Sequence, residues 1–346
     1  MKWRCTMQDI AEAAGVSRMS VSLALRNSPL VSRETGDRLR KLALEMGYTP
    51  DPLLQRLTTH LGQRRKRESG LAIAWINAWK DRDAWRRVVP FVTMYVGAER
   101  AARQNGFHLE EFWLRQPGMG GKKLSNILYQ RGIEHLIVGP LPKGNGHLSL
   151  EWEKFSVVAV GYSMVAPQIN RVVNHQLHAV RTSIRNLTHL GYRRVGLCID
   201  AEHDARVDHA WTTGLAQHQL NLPAARRVPF YLSEKWSEAA IVEWYERTRP
   251  DSILTHYYQL GEILEQAGHP PSKQPLIAML DWPGGAGHLP GINQHHDEIG
   301  KAAVDLVISQ VNRNERGLPA FPKALMVEGS WIPGNTAGKR RLPLEK

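Results

Sequence analysis

The first 46 residues hold three short helical patterns separated by breaks of only a few residues. No other stretch constrains the fold as tightly, because helices this short are stable only when they pack across one another. Ile10, Ala11 and Ala14 share a face of a helix expected over about residues 7–14. Gly15 can take the left-handed conformation that ends it. Ser17 is placed to cap a second helix, about 18–25, since its hydroxyl can accept an orphan amide. Val21, Ala24 and Leu25 face inward on that helix, and Asn27, Ser28 and Pro29 break it. Ser32 caps a third helix, about 33–46, on which Leu39, Leu42, Ala43 and Met46 recur at helical spacing. Gly47 and Pro50 stop it.

The second helix carries small polar residues outward, which suits entry into a DNA major groove with its first turn meeting base edges. Arg18 and Met19 occupy that turn. An arginine can pair with guanine O6 and N7, and a methionine can touch a thymine methyl. Ser17, Ser20 and Ser22 suit phosphate oxygens, as do the amides of the helix start. Three short helices also suit a protein-interaction module, with Met19 in its core. Charge favours a polyanion: the net charge is +12, and residues 1–69 carry 13 Lys/Arg against 7 Asp/Glu. Half the excess therefore lies on a fifth of the chain, where it can displace phosphate counterions.

The ordered run from Thr6 to Ser17, with Ser20-Val21-Ser22, Val31-Ser32 and Gly47-Tyr48-Thr49-Pro50, resembles the opening of the LacI/GalR family. The resemblance covers roughly the first 57 residues. It implies that Arg18 and Met19 read bases, that Met7 lies near them, and that the DNA-contact set is Thr6, Met7, Ser17, Arg18, Met19, Ser20, Ser22, Arg26 and Leu57. Leu23 stands where the family often has a base-reading arginine, so a different operator is expected. Leu57 falls at the position of the family's minor-groove wedge, which kinks the duplex by unstacking a base step. Asp51, Pro52 and Leu54-Gln55 depart from the family's Asn and Ala-Arg in that hinge. Arg56 and the basic run at 64–67 can contact phosphates, and the run reads equally as a solvated linker. The expected division is a DNA-binding domain over 1–50, hinge helix and linker over 51–69, and an effector-binding core over 70–346.

From residue 70, apolar strand-like runs alternate with helical stretches, the pattern of parallel sheets with helices on both faces. His189-Leu190-Gly191-Tyr192-Arg193-Arg194-Val195, Pro250-Asp251-Ser252-Ile253, Leu280-Asp281, Gly291-Ile292-Asn293-Gln294 with Ile299-Gly300, and Gly329-Ser330-Trp331 resemble the family's core. That core is similar to periplasmic sugar-binding proteins. The implied fold is an all-α helix-turn-helix domain plus a periplasmic-binding-protein-like α/β core of two lobes with parallel sheets, approximately 70–169 with 295–326 and 170–294 with 327–340. The resemblance places Trp236, His256, Asp281 and His296 at effector positions. Trp236 and Asp281 serve equally well as packing and helix capping. His256-Tyr257 replaces the family's Asn-Asp pair, and Val207 replaces a ligand-gripping arginine. The neighbouring Arg206 is expected to point elsewhere.

No nucleophile elbow, zinc-helix motif or phosphate loop occurs. No catalytic residue, metal or cofactor is expected. The glycine-rich stretch at 118–123 lacks the Ser/Thr that would follow Gly-Lys and reads as a flexible loop. The pairs His203/His209 and His295-His296 lack the spacing and carboxylate company of a metal site. Cys5 and Cys198 form no disulfide framework, which suits a reducing compartment. No apolar run reaches the roughly 18 residues of a membrane span, and Met1-Lys2-Trp3-Arg4 leads into an amphipathic helix rather than a signal-peptide core. A cytoplasmic location is expected. So is a repressor that binds palindromic double-stranded operator DNA as a homodimer and answers to a small molecule, a sugar or related metabolite. A solute-binding protein and a DNA-tethered enzyme are the alternatives. The ordered N-terminal motif disfavours the first, and the lack of a catalytic constellation the second.

Overall fold

The computed structural model describes residues 5–48 except 26, 27 and 29, and residues 71–335 except 145, 283 and 285–287. Arg26, Leu57, the expected hinge segment and the basic run at 64–67 lie outside the described residues.

Three helices build the N-terminal unit: α1 (Met7–Ala14), α2 (Arg18–Leu25) and α3 (Arg33–Glu45). Ile10, Ala11, Val21, Ala24, Leu39 and Ala43 form its core, ringed by half-buried Met7, Val16, Leu25 and Tyr48. Small residues at the crossings let the helices approach closely.

The remaining described residues form two layered lobes. The first holds β1 (Leu71–Asn77), α4 (Val89–Gln104), β2 (Phe107–Trp113), α5 (Gly121–Gln130), β3 (His135–Val138), β4 (Gly146–His147), β5 (Ser156–Val160), β6 (Met164–Ala166) and β7 (Arg171–Asn174). The second holds α6 (Gln176–His189), β8 (Val195–Asp200), α7 (Ala201–Arg206), α8 (Ala210–Leu220), β9 (Tyr231–Ser233), α9 (Glu238–Thr248), β10 (Ser252–Thr255), α10 (Leu260–Gln266), β11 (Leu276–Met279) and β12 (Gly291–Asn293). The chain then returns through α11 (His296–Asn312) and β13 (Ala324–Val327) to the first lobe, and through β14 (Ser330–Ile332) to the second.

The first sheet runs β13-β7-β5-β3-β1-β2, all parallel. The second runs β14-β12-β11-β10-β8-β9, parallel except for β14. Central strands such as β5 are buried along their whole length, as a sheet covered on both faces requires. Because β7 pairs with β5 and β13, the first crossing between lobes follows Asn174. The other two follow β12 and β13. Helices α4 and α11 touch backbone to backbone: a Cβ on Gly97 would lie 2.1 Å from the Asp297 carbonyl oxygen, and one on Gly300 1.8 Å from that of Met94. The stretch expected as a flexible loop at 118–123 is helical from Gly121 onward. Its missing side chain admits the Ser149 carbonyl, where a Cβ would come within 1.7 Å.

Candidate DNA interface and effector cleft

Local caps fix the N-terminal helices. The Thr6 hydroxyl accepts from the Asp9 amide at 3.3 Å, and the Asp9 carboxylate accepts from the Thr6 amide at 2.7 Å, a reciprocal capping box. That amide, then the Thr6 hydroxyl, holds the Asp9 carboxyl below the usual carboxylate range. Gly15 ends α1 at φ 66°. The Ser17 hydroxyl accepts from the Ser20 amide at 3.0 Å and shares a hydrogen bond with the Ser20 hydroxyl at 2.8 Å. The Arg40 guanidinium donates to the Ala24 carbonyl at 2.8 Å and pairs with Asp37 at 2.6 Å, tying α3 to the end of α2.

These caps leave the first turn of α2 open. Ser17 and Arg18 are exposed, and Met19 is 70 % exposed, so it is no part of the core. Ser20 and Ser22 are half-buried on the same helix. Thr6 is exposed but committed to its cap, and Met7 packs half-buried against the helical core. Arg18, Met19 and Ser17 are thus the side chains of the predicted set that present open surface together.

In the second lobe, four parallel strands end side by side, and functional groups of open α/β sheets gather at such carboxyl ends. Asp200 is the last residue of β8, His256 follows β10, Asp281 follows β11 by two residues, and His296 opens α11. One Asp200 oxygen meets His203 Nδ1 at 2.7 Å, His256 Nε2 at 3.1 Å and the donating Tyr257 hydroxyl at 2.9 Å. The His203 and His256 rings stack at 4.3 Å, and Trp211 stacks behind His256 at 5.7 Å. Trp236 is 42 % exposed and lies edge-on to Tyr257 at 3.9 Å. His296 Nε2 meets an Asp281 oxygen at 2.8 Å.

Burial pushes the Asp200 carboxyl up, but hydrogen bonds from His203 and His256 outweigh it and hold that carboxyl well below the usual range. Burial also pushes His256 below its ordinary value, against the opposing Asp200 bond. Burial, then the Asp281 charge, push the Tyr258 hydroxyl up to about 12. Three buried polar atoms here, His256 Nδ1, His296 Nδ1 and Trp282 Nε1, have no hydrogen-bond partner among the described residues.

All four predicted effector residues thus lie at or beside the strand ends of one lobe, in two groups. The sequence reading missed the centre of the larger group, Asp200. It also denied carboxylate company to three histidines that have it: His203 lies on Asp200, His209 Nδ1 meets Asp204 at 3.1 Å, and His296 lies on Asp281. The available signal was an Asp-x-x-His at the end of an apolar strand, where the aspartate caps the next helix. Helix α7 ends at Arg206, whose guanidinium crosses to the first lobe, donating to the Pro142 carbonyl at 2.7 Å and lying 5.2 Å from the Phe91 ring centre. Val207 packs against the second-lobe core instead. Behind the strand ends, Gln294 donates to the Leu280 carbonyl at 2.7 Å and to Gln176 at 3.1 Å, while Asn174 donates to the Gln294 carbonyl at 2.9 Å. Buried amides therefore join the crossing segments.

A three-helix unit with an open second helix, joined to two parallel-sheet lobes, defines a helix-turn-helix protein with a periplasmic-binding-protein-like core. Residues 6–51 match the family model described as bacterial regulatory proteins, lacI family. The transcriptional regulator PtxS of Pseudomonas plecoglossicida is 25% identical over 351 residues, covering 94% of this chain and 96% of that protein. The transcriptional regulator IdnR of Escherichia coli is 44% identical over 48 residues, 14% of this chain and 14% of its own length. The lac repressor dimer bound to operator and the anti-inducer ONPF shares the fold at a TM-score of 0.55 and 16% identity, covering 97% of this chain and 100% of that one. The N-terminal unit is a lacI-family DNA-binding domain, and over its whole length the chain is similar to transcriptional regulators of that family.

Proposed function

We propose that this chain is a repressor that reads a palindromic operator as a homodimer and is controlled by a small polar molecule bound between its lobes. The observation that carries the DNA reading is the open first turn of α2, where Arg18 and the 70 % exposed Met19 stand on a capped, well-packed helical unit. A guanine-reading and a methyl-contacting group side by side suit a major groove. Ser17, Ser20, Ser22, Thr6 and Met7 supply backbone and flanking contacts in this reading. Two-fold symmetry supports it as well: the lac repressor neighbour was solved as a dimer on operator, and a dimer reads a palindrome. Leu318, Phe321, Leu325 and Met326 leave an apolar strip exposed at the edge strand β13, which a second copy would cover.

For the effector, Asp200 and Asp281 offer carboxylate acceptors, Trp236 and Tyr258 offer exposed rings, and three orphaned buried polar atoms call for partners. Stacking rings with carboxylates beside them suit a carbohydrate or related polyol. Arg206, touching both lobes, would sense their closure. The effector can act only by binding one lobe arrangement better than the other.

Operator selection from random duplexes tests the first part. The expected product is a palindrome, with affinity that falls steeply as salt rises. Arg18→Ala should relax preference at one symmetric base pair of each half-site, at a cost of about 1–3 kcal/mol. Unchanged specificity in that variant would remove α2 from the groove. Thermal-shift screening against sugars, sugar acids and nucleosides tests the second part, since a ligand of the native state raises its melting midpoint.

A further inference from the structure

Two of the crossings between lobes carry a group of side chains that neither the DNA unit nor the cleft uses. His175 directly follows β7, and His178 lies three residues on, in the first turn of α6. Glu328 sits between β13 and β14, on another crossing segment. The two segments are paired through the His175 amide, which donates to the Val327 carbonyl at 2.8 Å. The i, i+3 spacing puts both imidazoles on one side of the helix start, with ring centres 5.5 Å apart.

Three ligand atoms converge there. His175 Nδ1 lies 3.6 Å and His178 Nδ1 3.7 Å from the same Glu328 oxygen. These separations exceed hydrogen-bond length, so no hydrogen bond closes the group. They lie close to the edge of a tetrahedron, about 3.4 Å for metal–ligand bonds of about 2.0–2.1 Å. The Asp200 cluster, at 2.7–3.1 Å, is instead already closed by hydrogen bonds. The outer partner also fits. His178 Nε2 lies 3.1 Å from the Thr182 hydroxyl, and a proton donated there leaves the Nδ1 lone pair toward Glu328.

We propose that His175, His178 and Glu328 form a binding site for a divalent transition-metal ion such as Zn2+, Co2+ or Ni2+, bridging two of the segments that join the lobes. Two imidazoles and one carboxylate suit ions of that class rather than Mg2+ or Ca2+, which take oxygen ligands. Three protein ligands leave a further position for water or a small donor, and the Glu328 side chain, 63 % exposed, gives access to it. The site does not depend on the DNA reading and is tested without DNA.

Titration of the full chain with Co2+ is expected to give visible d–d absorption that saturates at one equivalent per chain. His178→Ala and Glu328→Gln should each weaken that binding at least tenfold, and His256→Ala should leave it intact. Glu328 is exposed, so Glu328→Gln tests the site in a folded protein. Zn2+ should raise the melting midpoint of the parent chain and not that of Glu328→Gln. Equal Co2+ binding in Glu328→Gln and the parent overturns the site, as does loss of the bands in His256→Ala, which would move the ion to the Asp200 cluster. Titration without a saturating single equivalent also overturns it.

Discussion

The N-terminal helical unit and the Asp200 cluster are built on opposite economies of polar groups. In the helical unit, the capping side chains satisfy backbone groups three residues away, as Thr6 does with Asp9 and Ser17 with Ser20. Its outward face is left open. In the second lobe, one carboxylate gathers three partners from helix α7 and the turn after β10, 3 to 57 residues distant. The first arrangement holds a rigid surface ready for a partner. The second holds a half-buried network whose members constrain one another, so a new ligand must exchange bonds with it. The two regions therefore differ in where their hydrogen bonds close.

The largest expected effect comes from the small helical core. Leu39 is fully buried between three short helices. Leu39→Ala removes methylenes at a cost of about 2–5 kcal/mol, in a unit too small to carry much spare stability. DNA binding should be lost for every sequence, and trypsin should cut within residues 5–48, while the melting transition of the lobes stays put. If that transition moved as well, the two regions would not be independent.

A smaller effect is expected at Asp200. Asp200→Asn removes the charge that three donors share, and hydrogen bonds to charged groups contribute about 1.5–3 kcal/mol each. Because the asparagine keeps some of the bonds, a net loss of about 2–3 kcal/mol is expected in urea unfolding of the lobes. Operator affinity without effector should not change. An unshifted unfolding midpoint would show that the cluster does not brace the lobe, and the contrast between the two regions would fail.

The same contrast explains what could be read from the chain alone. Gly15, Ser17 and Ser32 act on their near neighbours, so the three helices were legible to within a residue. The two-sheet alternation was legible because β1, β5 and β8 are nearly continuous apolar runs. Strand β13 showed no pattern because it is an edge strand with exposed Ala324, Leu325 and Met326. Strand β7 was too short at four residues, with Arg171 and Asn174 at its ends. Helix α7 has six residues and no apolar stripe, so only its cap, Asp200, announced it. The meeting of Asp200 with His256 follows from β8 lying beside β10, and sheet order is a property of the whole fold rather than of any window of sequence. His256 and Asp281 were found by resemblance to positions in a family, and Asp200 had no such marker.

The smallest effect separates the two regions by acidity. Burial lowers the His256 pKa, so the folded lobe resists the proton that the unfolded chain takes up near the ordinary histidine value of about 6.5. Stability from this source is therefore present above that value and falls as pH drops through it, by at most about 1.4 kcal/mol per pH unit for each proton. His218, also lowered by burial, acts in the same direction. Residues 5–48 contain no histidine, and Asp9, held low by its cap, loses its contribution only on acidification below the ordinary carboxylate range. Between pH 7.5 and 5.5 the melting midpoint of the lobes should fall, and hydrogen exchange in α1–α3 should show no matching loss of protection. His256→Asn should flatten the slope for the lobes. A parallel loss of protection in α1–α3 would mean that acid reaches the helical unit through the lobes, and the two regions would then share one cooperative transition rather than two.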